Sequence, residues 1–260
     1  MASLKESLPP LQIHLNVDEF QNQGMTPWFS YTVTLPEQPL PSLSERPSIK
    51  TQRLVVRPLT EADLDAFHEL RRLPELQLHS KIRGRPDKDK EETKRVIDGL
   101  TQDTDSHWYF GAFLQSTNEL IGEGGMPDCL HMVTSTSGWP EAEFFIKPAY
   151  WRQGYGTELF NAVMDSWWNL PRQRKRHQLH PTVATGKEPG DEMWEGVVFH
   201  WEEHNDVAQE FFAKVLEQVP IYAEGGYESI DAREGREGNL VRFTGSMAAS
   251  PRPRDDSIVE

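Results

Sequence analysis

Apolar residues recur along this chain with two different spacings, and the switches between them mark its elements. Leu11, Ile13, Leu15 and Val17 alternate with Gln12, His14 and Asn16, and Phe29, Tyr31, Val33 and Leu35 alternate with Ser30, Thr32 and Thr34. A period of two predicts half-buried strands, able to pair with each other or to extend a sheet edge. Pro36, Pro39, Pro41 and Pro47 break the pattern and predict a linker. A second beginning lies at Thr51, where Leu54, Val55 and Val56 predict a short strand that Pro58 ends. Thr60 with Asp63 three residues on reads as a capping box with Asp in place of Glu; Leu64, Phe67 and Leu70 then form one helical stripe. A charged helix is expected over 88–100, with Val96, Ile97 and Leu100 inward. Strands are expected over 108–114 and 119–126, joined by a polar turn, and over 141–147. A helix starting near Gly156 carries Leu159, Val163 and Trp167 on one stripe. Residues 171–191 read as a basic, proline-bearing loop long enough to be an insertion. A strand over 197–201, an amphipathic helix over 207–216, a strand over 239–244 and a disordered tail from Ala249 complete the chain.

Composition narrows the choice of partner. At 260 residues, one domain with extensions is expected: an N-terminal β extension and linker over 1–47, a main domain over 48–247 and a tail over 248–260. The net charge of −14 argues against nucleic acid, whose binding needs clustered cations. An acidic surface draws cationic substrates such as amines, and serves plain solubility equally well. Cys129 is the only cysteine, so no intrachain disulfide is possible. His200 and His204 have helical zinc spacing but lack the rest of the motif, and no metal is expected. No run of apolar residues is long enough to span a membrane, and the start lacks a basic-then-apolar leader. A cytoplasmic or nuclear address and no membrane partner are the expectation.

Chemistry concentrates between Glu141 and Leu159. There a strand, a turn, Gly154, Gly156 and a helix follow one another. Glycines remove side chains where a ligand must approach backbone, and the helix start offers unpaired N–H groups and a partial positive charge. Together these make a phosphate or pyrophosphate site. Two glycines before a helix also serve as a plain tight turn. No Gly-Lys-Ser/Thr follows, which excludes a Walker loop, and the three-glycine dinucleotide pattern is absent.

Tyr150-Trp151-x-x-Gly154-Tyr155-Gly156-Thr157-Glu158 resembles the coenzyme loop of the GNAT superfamily of N-acetyltransferases, in the branch containing ribosomal-protein N-terminal acetyltransferases. Trp151 stands where the superfamily usually has Gln or Arg. The run Thr51-x-Arg53-Leu54-x-x-Arg57-Pro58-Leu59-Thr60-x-x-Asp63 resembles the same branch's opening, and Asn205 begins its later helix. Ala208 replaces a usual Ser, 216–226 is longer than the usual passage into Gly-Phe, and 171–191 is extra, so the acceptor is expected to differ from that of the ribosomal enzymes.

The resemblance implies a three-layer α/β (mixed α+β) domain with a mixed, largely antiparallel central sheet, helices on both faces and an N-terminal β extension. It implies acetyl-CoA as co-substrate and direct attack by a small-molecule or peptide amine in a ternary complex, by a monomer or homodimer. Phe144, Phe145 and Ile146 would present backbone to pantetheine on a splayed strand. Trp151, Arg152, Gln153, Gly154, Tyr155, Gly156 and Thr157 would hold the pyrophosphate. An amide at Phe144 or Phe145 would polarise the thioester carbonyl. Asn205 would bind coenzyme or a relay water, or cap its helix. Deprotonating a lysine-type amine of pKa about 10.4 costs about 4.6 kcal/mol at pH 7, against about 1.1 kcal/mol for an α-amine of pKa about 7.8. Glu141 and Glu143 share one strand face and either could be the base, with Glu123 a third candidate; Tyr222 or Tyr227 could protonate the leaving thiolate. The basic run at 172–177 either approaches the adenosine 3′-phosphate or complements a helix end. One of Trp167 and Trp168 is expected in the core, the other at a pocket rim or partner surface. Two other readings fit the sequence: a coenzyme-binding sensor or inactive relative, and an interaction module built on the N-terminal strands and exposed tryptophans.

Overall fold

Two neighbouring segments bury nearly every side chain, and that dictates the layering. The computed structural model describes residues 28–81, 83–102, 105–128, 137–180, 183–184, 186–217, 231–234 and 240–250. In chain order these form β1 (Phe29–Pro36), β2 (Ile49–Lys50), β3 (Leu54–Arg57), α1 (Leu64–Arg71), α2 (Pro74–Gln77), α3 (Lys90–Gln102), β4 (Trp108–Leu114), β5 (Leu120–Asp128) and β6 (Glu141–Ile146). After them come α4 (Tyr155–Trp168), β7 (Arg172–Leu179), β8 (Glu192–Met193), β9 (Gly196–Glu202), α5 (Asp206–Leu216), β10 (Asp231–Glu234) and β11 (Leu240–Ala249). Every residue of β4 and the first seven of β5 are buried, so both faces of the sheet need a cover.

The helices supply it. On one face Leu159, Val163 and Trp167 of α4 and Phe212 of α5 pack on Phe110, Ala112, Ile121 and Ile146. On the other, Phe67 and Leu70 of α1 and Ile97 of α3 pack on Phe113 and Leu120. The main sheet has the order β10-β11-β9-β6-β5-β4-β3-β2, antiparallel throughout except between β6 and β9. It is a mixed, largely antiparallel sheet between two helical layers. The Thr60–Asp63 capping box is present, and Asp63 is also bonded by both terminal nitrogens of Arg57 at 2.8 Å. Among the described residues no helix is long and apolar enough to cross a membrane.

Three expectations need correcting. The stretch 171–191 is not simply a loop, because its first half is β7, paired antiparallel with β1 from Phe29↔Leu179 to Pro36↔Arg172. With β8 on the other side of β1, these strands form a separate three-stranded sheet. Strand β7 gave no alternation signal because its inward positions Gln173, Lys175 and His177 are polar; His177 Nε2 meets the Gly138 carbonyl at 2.7 Å. Strand β1 accordingly belongs to this second sheet and not to the main one, and the 11–17 segment lies outside the described residues. Strand β11 runs on to Ala249, with Ala248 and Ala249 buried against β9, past the expected end at 244. Its small residues carry no periodic signal. Trp167 and Trp168 are both buried in the core over the main sheet, where the Trp167 indole also donates to Glu195 at 3.0 Å. The remainder of the expected tail, 251–260, lies outside the described residues.

Candidate active site

The turn before α4 takes its shape from two residues at positive φ, Arg152 at 58° and Gly154 at 84°. Gly154 caps α4 without a side-chain bond, and the first intrahelical bond runs from Glu158 N to Gly154 O. Among the described residues the amides of 152–157 meet no protein acceptor. Successive N–H groups in such a turn form an anion-binding concavity, strengthened by the helix dipole. Gly156 has a different reason: a Cβ there would lie 3.2 Å from the Phe211 ring, so it permits the close approach of α5. Behind the turn, Arg53 of the 51–54 segment donates to Gln153 O at 2.8 Å and lies over the Tyr155 ring at 4.0 Å. It also pairs with Glu158 at 2.8 Å. Burial alone would raise the Glu158 pKa, but bonds from Thr51 and Arg53 hold it below the usual range.

In front of the turn the main sheet splits. The parallel ladder between β6 and β9 holds only Glu141↔Val198 and Ala142↔Phe199. Beyond it Phe144, Phe145 and Ile146 pair on the β5 side, with Gly124, Glu123 and Gly122. A Cβ at Gly124 would run into the Phe144 ring, so this glycine lets the two strands stay paired under a large side chain. The split opens a cleft of about 520 Å³. All six residues of β6 line it, together with Trp151, Arg152, Gly154, Gly156 and Thr157 of the turn. Gln153 and Tyr155 do not; the Gln153 side chain bonds Ala149 O and Tyr155 lies under Arg53. Trp151 is 37% exposed, and its indole nitrogen donates to Ile146 O at 2.5 Å. The opposite wall is Trp201, Asn205 and the start of α5. Asn205 caps that helix, its Oδ1 accepting from Ala208 N at 3.1 Å.

Far from the turn, the cleft ends among charged groups on the α1–α3 side of β6. Glu141 is bonded by Lys81 Nζ at 3.2 Å to each oxygen and by His200 Nδ1 at 3.3 Å. Burial pushes its pKa up, yet His200 and Lys81 outweigh that and hold it at about 2. Glu143 contacts Arg83 Nη2 at 3.3 Å, Ser80 Oγ at 3.3 Å and Tyr109 OH at 3.4 Å. Here burial prevails over the Arg83 charge, with Glu123 adding to it, and the carboxyl sits above its ordinary value. Glu123 itself is wholly buried behind β6 and does not line the cleft. Ser80, Lys81 and Arg83 carried no sequence signal, since they lie in a short polar stretch after α2 with no period and no motif.

The basic run is on β7, past the far end of a 14-residue helix. That places it about 21 Å along the axis from the turn. Arg172 is in a buried pair with Glu195 at 3.1 Å and donates to Trp167 O at 2.7 Å. Of the two readings, complementing the helix end fits Arg172, and contact with coenzyme at the other end does not. Tyr222 and Tyr227 lie outside the described residues.

The site is thus a mixed sheet split between two parallel strands, with an amide-bearing turn at its mouth. The acetyltransferase (GNAT) domain model matches residues 53–215, more than half of the sequence, and the chain belongs to that family. A GNAT-family acetyltransferase from Bacillus anthracis superposes with a TM-score of 0.53 at 14% identity, covering 78% of this chain and 99% of its own. The ribosomal-protein-S5-alanine acetyltransferase of Vibrio fischeri gives 0.53 at 10% identity, covering 80% and 100%. The spermidine N-acetyltransferase of Vibrio cholerae, solved with CoA and spermine, gives 0.52 at 14% identity, covering 77% and 97%. At these identities the likeness is one of fold. A search of curated proteins finds no match to the sequence.

Proposed function

We propose that this protein transfers an acetyl group from acetyl-CoA to a primary amine by direct attack in a ternary complex. The observation that carries the reading is the row of amides at 152–157, without protein acceptors among the described residues, beside the cleft where β6 leaves β9, which Arg152, Gly154, Gly156 and Thr157 line. In this reading those amides take the pyrophosphate, and the outer edge of Phe144–Ile146 takes the pantetheine. For the latter, Trp151 must yield or share the Ile146 carbonyl. An amide at Phe144 or Phe145 polarises the thioester carbonyl, and holding amine and thioester in line supplies much of the rate. Asn205 orients coenzyme or a water from the opposite wall.

Glu143 is the better base of the two candidates on β6. Lys81 and His200 hold Glu141 as a carboxylate with little affinity for a proton, whereas burial gives Glu143 more. Because the carboxylate form is the active one, turnover is lost as pH falls through the Glu143 midpoint. Thiol release measured over a panel of amines tests this. Acetyl-CoA with at least one primary amine should release thiol, and Glu143→Gln should lower kcat/KM by about 10²-fold for lysine-like amines and less for α-amines. Thiol release from no amine, with coenzyme bound, contradicts the reading.

A further inference from the structure

Glu143 shares its cation. The Arg83 guanidinium reaches Glu143 Oε1 through Nη2 at 3.3 Å and Glu123 Oε1 through Nη1 at 3.2 Å. Glu123 comes from the adjacent strand, opposite Phe145, and its side chain has no exposed surface. Its Oε2 meets no donor among the described residues. The groups around the pair come from every neighbouring element. Tyr109 of β4 and Ser80 touch Glu143, and Gln77 of α2 accepts from Arg83 Nη1 at 2.8 Å. Arg71 of α1 is held in a buried pair with Asp87 at 2.5 Å, and Lys81 and His200 bond Glu141. One guanidinium therefore faces two buried carboxylates and a side-chain amide at once.

An arginine fork binds one carboxylate best when both its nitrogens serve it. Here the fork is divided, and Glu143 receives a single long bond while a second carboxylate lies behind it. We propose that Glu123 is a positioning residue for the proposed base: it draws Arg83 away from full pairing with Glu143 and leaves that carboxylate available to take a proton from the incoming amine. In that step the ammonium N–H bond breaks, the proton ends on a Glu143 oxygen, and the freed lone pair is the nucleophile. The inference rests on Glu143 being the base, and explains how a buried glutamate beside an arginine keeps that capacity.

The test needs no acceptor. The full chain, labelled with ¹³C at the glutamate side-chain carboxyls, is titrated by NMR as wild type, Glu143→Gln and Glu123→Gln. In the wild type one carboxyl should titrate above the ordinary glutamate value of about 4.3. That signal should vanish in Glu143→Gln. In Glu123→Gln, where Arg83 closes on Glu143, it should fall by at least about one pH unit. A midpoint unmoved in Glu123→Gln overturns the proposal. If Glu123→Gln does not fold, Glu123→Met carries the test, since it also removes the competing carboxylate and the midpoint should fall; an unchanged midpoint there overturns it too. Failure of the base itself looks different: Glu143→Gln would retain wild-type thiol release whatever the NMR shows.

Discussion

The Arg53 guanidinium sits 2.8 Å from Gln153 O, 2.8 Å from Glu158 and 4.0 Å above Tyr155, so one side chain braces the turn, the helix start and the strand behind them. These contacts span about a hundred residues of sequence, which is why Gly154 and Gly156 were legible as a turn while Arg53 was visible only as part of a motif. The same holds at the other end of the cleft. Glu141 and Glu143 declared themselves by alternation, but which of them could take a proton depended on Lys81, Arg83 and His200, brought in by folding. Replacing Arg53 with Met should remove the brace without opening the core. Arg53 is partly exposed, so the melting temperature should fall by only a few degrees. Acetyl-CoA affinity, read by calorimetry, should weaken by about tenfold as the amides lose their fixed directions. Full retention of affinity would mean that the turn holds its shape unaided.

At the scale of elements, reading was easy where burial was one-sided or complete and failed where polar residues face inward. Strands β4 and β5 appear as apolar runs, and α4 as a stripe, because each meets an apolar layer. Strand β7 meets β1 with Gln173, Lys175 and His177, and its exposed positions are Arg174, Arg176 and Gln178, so no period of two in hydrophobicity marks it. What holds it is the ladder with β1 and the small core under that strand: Tyr31, Val33, Leu35, Trp139, Leu179 and Val198. Val198 belongs to β9, so this core also ties the second sheet to the main one. Leu35 is 6% exposed, and Leu35→Ala should cost about 2–4 kcal/mol in denaturant unfolding. Arg174→Ala on the open face should stay within about 0.5 kcal/mol of the parent. Equal stability of the two variants would show that β1 is not packed as described.

For the whole molecule, the ordered series of elements carried the fold, and the split between β6 and β9 could not be read locally. It arises because two parallel strands that pair at Glu141 and Ala142 are then drawn apart, β6 towards β5 and β9 towards β11. The opening joins an anion-binding turn at one end to a buried, charged cluster at the other, within a protein of net charge −14. The anionic coenzyme proposed above would have to bind through local backbone geometry against an unfavourable overall field. Isothermal titration of acetyl-CoA into the wild type and Gly154→Asp, with melting curves to confirm folding, tests this most directly. Wild type should bind one coenzyme per chain, and the carboxylate set at a position of φ 84° should weaken binding at least about tenfold. Equal affinity in a folded Gly154→Asp protein would contradict the account.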